Sequence, residues 1–153
     1  MGHAREAMDR ITEAVMRRDA DALRAIYADD AVADTPDEGR LTGRDAIVEW
    51  MMTFAEAFPD TSFEMISTLE VGDTAIDEGY LTATHTGTLR TPEGDVAPTG
   101  RRVRIRECDV CSVRGGKVVS HRFYFDQLEM LGQLGLIDTT LTLPDARTDQ
   151  ARV

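Results

Sequence analysis

Apolar positions recur at helical spacing through the first sixty residues and then change to alternation, which divides the chain into a helical half and a sheet half. Over residues 4–17, Ala4, Met8, Ile11 and Val15 repeat every three or four positions with Arg and Glu on the remaining faces. This is the pattern of an amphipathic helix with a solvated charged side. A second, short helix through Leu23, Ile26 and Tyr27 has Asp19 or Asp21 as its cap and is expected to end near residues 28–30. A brief extended piece, Ala31 to Asp34, enters a turn over Thr35 to Gly39, where Pro36 and Gly39 break regular structure. The third helix is expected from Gly43 to Phe58, with Ile47, Trp50, Met51 and Phe54 along one side and Pro59 as its stop.

After Pro59 four segments alternate and are rich in Thr, Val and Ile: Ser62 to Val71, Thr74 to Leu89, Arg101 to Val113, and Lys117 to Phe125. Arg114 to Lys117 reads as a tight hairpin, and Thr91 to Gly100 as a longer, looser connection overhanging one end of the sheet. Asp126 and Glu129 have the spacing of a capping box that opens a closing helix, and Gly135 stands where a C-cap glycine belongs. Three helices, a meander-like and mainly antiparallel sheet and one short C-terminal helix make an α+β domain over residues 1–137. A long sheet covered on one face by helices curls and encloses a cavity. Residues 138–153 lack periodicity and are expected to be a mobile or partner-contacting tail.

Alternation assigns the chemistry to faces. In the last strand Val119, His121, Phe123 and Phe125 share one face, while Val118, Ser120, Arg122 and Tyr124 share the other. In the strand before it, Ile105, Glu107, Asp109 and Cys111 share a face, and Arg104, Arg106 and Ser112 lie on the opposite, solvent-directed one. The hairpin then brings Glu107 and Asp109 beside His121. Two carboxyl groups and an imidazole in an apolar cone have separated proton affinities, which suits general acid–base chemistry on a carbonyl compound. The alternative is that these groups pair with one another or with a nearby Arg and only hold the sheet together. His85 shares a face with Leu81, Ala83 and Leu89, a placement more typical of a satisfied core histidine than of a site residue. Asp34 falls at the lip of the cavity, where it either lines the site or makes an Asx turn before Pro36. Trp50, Phe123 and Phe125 are expected to shape the pocket. Asp126 is expected to act as a cap and not as a proton shuttle.

Charge narrows the partners. With 17 basic and 28 acidic residues the chain carries a formal net charge of −11, which argues against nucleic acid and anionic membranes and favours a neutral or cationic small molecule. No apolar run approaches the roughly 20 residues that span a bilayer, and the N-terminus leads into a charged helix, so a cytoplasmic location is expected. Cys108 and Cys111 have C-x-x-C spacing, but strand alternation sends them to opposite faces, so they read as ordinary strand thiols. The chain lacks a G-x-S-x-G elbow, a glycine-rich phosphate loop and an H-x-x-H spacing. No cofactor and no metal site are expected.

Four motifs in order, His85 to Gly87, Pro98 to Arg102, Gly116 to His121, and Asp126 through Leu134 to Gly135, resemble the SnoaL-like polyketide cyclase family of the nuclear transport factor 2-like superfamily. The resemblance covers residues 4–137. It implies a cone of curved sheet whose helices close a deep apolar pocket, and a homodimer formed through the sheet. It also implies a superfamily of cyclases, isomerases, epoxide hydrolases, dehydratases and hydroxylase-like proteins. The family's catalytic aspartate, two residues beyond the histidine of the Gly-Lys-Val motif, falls on Phe123, and its partner histidine falls on Asp109. Two functions follow as expectations. One is an enzyme with Asp109 as general base, His121 as orienting partner or acid, and Glu107 in support. The other is a carrier of small hydrophobic ligands, since phenylalanine moves no proton. A third possibility is an interaction module using the open sheet.

Overall fold

The computed structural model describes residues 3–138. Helix α1 (His3–Arg17) buries Ala4, Ala7, Met8, Ile11 and Ala14, the stripe its spacing announces. Helix α2 (Ala20–Ile26) is capped by Asp19, whose carboxylate accepts the Ala22 N–H at 2.9 Å. Strand β1 (Tyr27–Thr35) begins where α2 stops, so the residues expected to finish the helix are already extended. Strand β2 (Gly39–Thr42) pairs back onto β1, adding a strand the sequence reading did not contain. Helix α3 (Arg44–Ala57) follows.

Strands β3 (Ser62–Val71) and β8 (Lys117–Phe125) have the bounds their alternation predicts, and β7 (Arg102–Arg114) differs by one residue at each end. Strand β4 (Thr74–Thr84) stops short of the expected Leu89. The loop expected after it contains a small hairpin of its own, β5 (Leu89–Thr91) with β6 (Gly94–Val96). Gly115 (φ 58°) and Gly116 (φ 76°) take the two left-handed positions that a two-residue hairpin between β7 and β8 requires. Helix α4 (Gln127–Gln133) opens on Asp126, which accepts the Glu129 N–H at 2.9 Å.

The six-stranded sheet has the order β2-β1-β8-β7-β4-β3. All neighbours are antiparallel except β1 and β8, which run parallel. Helices α1, α3 and α4 cover one face of this curved sheet. The alternation of β8 is interrupted: a bulge beside Val113 lets Val118 enter the core fully buried, against the expectation that it lies on the face opposite His121, and leaves Val119 half-buried. From His121 onward the expected phase holds. The tail expected to be mobile or partner-contacting lies, from residue 139 on, outside the described residues.

The segment after β4 holds α3 in place. The Thr86 and Gly87 N–H groups both donate to the Ala57 carbonyl, at 3.1 and 3.0 Å, so the end of α3 is tied to the sheet. A Cβ on Gly87 would lie 2.1 Å from the Glu56 carbonyl oxygen. Gly87→Ala must therefore push the loop off the helix, and we expect a loss of about 1–3 kcal/mol in unfolding free energy. Urea denaturation checks this; an unchanged midpoint would show that the loop yields without cost.

Candidate active site

Between the helices and the sheet lies one apolar cavity. Met8, Ile11 and Val15 of α1 form one wall, Trp50, Met51 and Phe54 of α3 a second, and Met130 of α4 closes an end. The sheet supplies Phe123 and Phe125 from β8 and three acids, Asp77, Glu107 and Asp109. The cavity itself is about 90 Å³, below the range of about 300–1,000 Å³ typical of small-molecule sites, and it opens to solvent through its mouth. Among the lining residues there is no lysine, arginine or histidine.

The acids cluster because β4 and β7 pair in register. Asp77 lies opposite Asp109, Gly79 opposite Glu107, and on the other side Asp109 faces Phe123 and Glu107 faces Phe125. Asp77 is buried and is held by Arg5 of α1: both guanidinium Nη atoms reach its carboxylate, Nη2 to Oδ2 at 2.7 Å. Arg5 Nε also donates to Asp9 Oδ1 at 2.9 Å, and the Arg5 backbone N–H donates to Glu70 Oε1 at 2.9 Å. The helical pattern assigns Arg5 to the solvated face; the structure corrects this, since its side chain is 12% exposed and its charge is spent on a strand residue 72 positions away. Asp77 could have been found from the sequence, because alternation gives it the inward face of Leu81 and Ala83.

Glu107 and Asp109 have no such cation. Burial, and then the nearby Asp77, pushes the Glu107 carboxyl up to about 7. Burial pushes Asp109 well above the usual aspartate range, reinforced by Glu107 and then Asp77. Asp109 is the deeper of the two, with 20% of its side chain open.

His121 stands behind the cavity and not in its wall. It is fully buried, with the Phe123 ring stacked on it at 3.9 Å between centroids. Its Nδ1 is 2.6 Å from the Tyr27 hydroxyl, and its Nε2 points to Asp109 Oδ2 at 3.8 Å, too far for a hydrogen bond. Burial, and then Arg122, lowers the imidazole to about 3, so it is neutral near pH 7. Burial raises Tyr27 well above the phenol range, and so do Cys111 and Asp109. The phenol therefore keeps its proton, and Nδ1 is a far better acceptor for it than the Met51 sulfur at 4.0 Å. Nε2 then carries the ring proton and offers it towards Asp109. In this state His121 cannot serve as an imidazolium acid, and its Nε2 makes no hydrogen bond to Asp109.

The remaining expected residues divide. Trp50, Phe123 and Phe125 line the cavity, with the Trp50 and Phe123 rings 4.7 Å apart, and Trp50 Nε1 donates to Asp37 at 3.1 Å. Asp34 lies outside it, 3.9 Å from Arg40, in an open groove on the far side of Phe123 and Phe125. His85 is outside as well. It is fully buried against Phe58, with ring centroids 5.1 Å apart, and its Nδ1 accepts the Thr99 N–H at 3.2 Å. That is the core role, not the pocket role. Among the described residues no group of three or more His, Cys, Asp or Glu is arranged to hold a metal ion. No helix among them is long and apolar enough to cross a membrane.

A curved mixed sheet closed by helices over an acid-bearing cavity defines the cone-shaped, nuclear transport factor 2-like class, and solved structures agree. A SnoaL-like polyketide cyclase candidate from Jannaschia sp. CCS1 superposes with a TM-score of 0.77 at 16% identity, over 89% of this chain and 94% of its own. At 25% identity, IdmH of Streptomyces antibioticus, a candidate polyketide cyclase, gives 0.67 over 85% and 96%, and AclR of Streptomyces galilaeus, a candidate hydroxylase, gives 0.72 over 92% and 83%. An epoxide hydrolase of the LEH-like type from M. tuberculosis shares the fold at 19% identity, with a TM-score of 0.66 over 88% and 90%. No curated protein matches the chain in sequence. The model of the SnoaL-like polyketide cyclase family matches residues 5–134, and the chain belongs to that family.

Proposed function

We propose that the protein is a cofactor-independent acid–base enzyme acting on an apolar polyketide-type or polycyclic compound, with Asp109 as the group that moves the proton. The observation that carries this reading is a carboxyl without an ion-pair partner other than the neutral His121, set deep in an apolar cavity. Such a carboxyl starts the cycle protonated, so its first act is that of an acid, in place of the base expected from the sequence. It donates to a carbonyl or epoxide oxygen as negative charge grows there, and the His121 Nε2–H supports the carboxylate left behind. Glu107, when ionised, keeps the proton on Asp109 until substrate takes it. The family's aspartate position is Phe123, and Phe123 is the register partner of Asp109. The acid thus sits directly across the strand pair from its usual place and faces the same cavity.

The test is turnover of three probes followed by mass-resolved chromatography: an anthrone-type tricyclic β-keto ester, a cyclohexene-type epoxide and a β,γ-unsaturated polycyclic ketone. At least one is expected to react, and Asp109→Asn, shown to be folded by its melting curve, is expected to lower kcat by about 10²-fold or more. Full turnover by Asp109→Asn would remove Asp109 from the chemistry. Binding of all three without reaction would favour the carrier reading, which Phe123 at the family's acid position supports.

A further inference from the structure

Glu107 is the side chain that the enclosed cavity and the outer groove have in common, together with Phe123 and Phe125, so it stands at their junction. Among the described residues it has no hydrogen bond or ion pair of its own, and Asp109 beside it meets only the His121 Nε2 at 3.8 Å. That Nε2 is fully buried, has no hydrogen-bond partner and is aimed at Asp109. The pair therefore lies desolvated without a countercharge. The walls around it are aromatic faces and thioethers, which attract a cation and offer nothing to an anion.

We propose that the ligand of this cavity is an apolar amine, whose ammonium group is held by the Glu107 carboxylate among the Phe123, Phe125 and Trp50 rings while Asp109 is left for the reacting oxygen. This rests on the cavity being the functional site. The ammonium supplies the charge that the protein withholds. Among the described residues the neighbouring elements offer Glu107 no cation in ion-pair contact. Arg5 of α1 is committed to Asp77 of β4. Arg106 of β7, in the outer groove, donates to the Tyr80 hydroxyl at 3.2 Å. From β8 comes the neutral His121, with Arg122 beyond it, from β1 Tyr27 behind that ring, and from β7 itself the Cys111 thiol, pushed up to about 12 by burial and by Asp109. Helices α3 and α4 contribute no titratable group to the lining. The groove adds Asp34, Glu78 and Asp126, so approach to the mouth also favours a cation.

An ammonium draws Glu107 into its ionised form, so binding must strengthen as pH rises and must release protons. The probes are phenyltrimethylammonium, whose charge is permanent, its neutral isostere tert-butylbenzene, and the anion benzenesulfonate. Trp50, the chain's single tryptophan, lines the cavity and reports binding by fluorescence. At pH 8 the cation is expected to bind about 10-fold or more tighter than the isostere, with the anion weakest. The preference should shrink to about 3-fold or less at pH 5 and in Glu107→Gln, with about half to one proton released per cation at pH 6.5. Unchanged tert-butylbenzene affinity certifies the variant's pocket; if the variant fails to fold, the pH dependence and proton release of the unaltered protein decide. Equal affinity for cation and isostere, a preference that persists in Glu107→Gln or is independent of pH, or no binding of either probe would overturn the proposal. Turnover by Asp109 without a cation preference would sink this inference and leave the acid–base reading standing. Loss of both binding and turnover would remove the two together.

Discussion

Arg5→Ala is expected to lower the unfolding free energy by about 3–5 kcal/mol at pH 7, the range for removing one partner of a buried ion pair. The reason is what it leaves behind. Asp77 has 5% of its side chain exposed, lies opposite Asp109 in the β4–β7 ladder, and has Arg5 as the cation that touches it. Without the guanidinium, three carboxyl groups share one apolar cavity and Asp77 must take up a proton or unfold the region around it. Two further results separate this from simple loss of packing by the Arg stem. The deficit should shrink as pH falls towards 4, because leaving a buried carboxyl without its cation costs less in acid. Arg5→Met combined with Asp77→Asn should recover most of the loss, because a neutral pair needs no compensation. Urea unfolding of the unaltered protein and both variants at pH 4 and 7 checks these results. A loss below about 1 kcal/mol for Arg5→Ala at pH 7 would mean that Asp77 is not the buried, dependent charge described above.

Arg5 also marks where sequence reasoning stops. Local period decides which residues a strand or helix turns inward, and it placed Glu107 and Asp109 in the cavity, Arg104 and Arg106 outside it, and Cys108 and Cys111 on opposite faces. It also found the Asp126 cap and narrowed the α2 cap to Asp19 or Asp21, of which the structure uses Asp19, since a cap is a contact over three residues. A charge whose partner lies 72 residues away leaves no trace in a window of that length. The bulge near Val118 is hidden for a related reason: it depends on how β7 and β8 pair, and one extra residue reverses the phase of the strand's first half. His85 shows the opposite failure. Its inward face was legible, but the curved sheet has two buried regions, and alternation does not say which one a residue enters. His121 was placed on the correct face, yet Phe123 stacks over it and takes the cavity wall.

Glu107→Gln is expected to be more stable than the unaltered protein at pH 8 and about equally stable at pH 4.5. The folded state raises Glu107 from 4.5 to about 7, so between those values it holds a proton that the unfolded chain has released. The resulting stability is fully present below about pH 4.5 and is lost as pH rises through 7, by about 3 kcal/mol at about 1.4 kcal/mol per unit. A glutamine is neutral throughout and loses nothing across this window. Asp109, also raised, acts with the same sign, and removing the Glu107 charge relieves part of its shift too. His121 acts in the opposite sense: lowered to about 3, it costs stability as pH falls below about 6.5, equally in both proteins, and cancels from the difference. Urea unfolding at pH 4.5 and 8 measures the difference directly. A gap of the same size at both values would mean that Glu107 titrates as it would in the unfolded chain, and would remove the unpaired acid from the account. If the gap opens as expected, the unaltered protein keeps at its cavity mouth a carboxylate that weakens it near neutral pH. Phenyltrimethylammonium, by supplying the missing charge, should then narrow the gap at pH 8, whereas tert-butylbenzene should leave it unchanged.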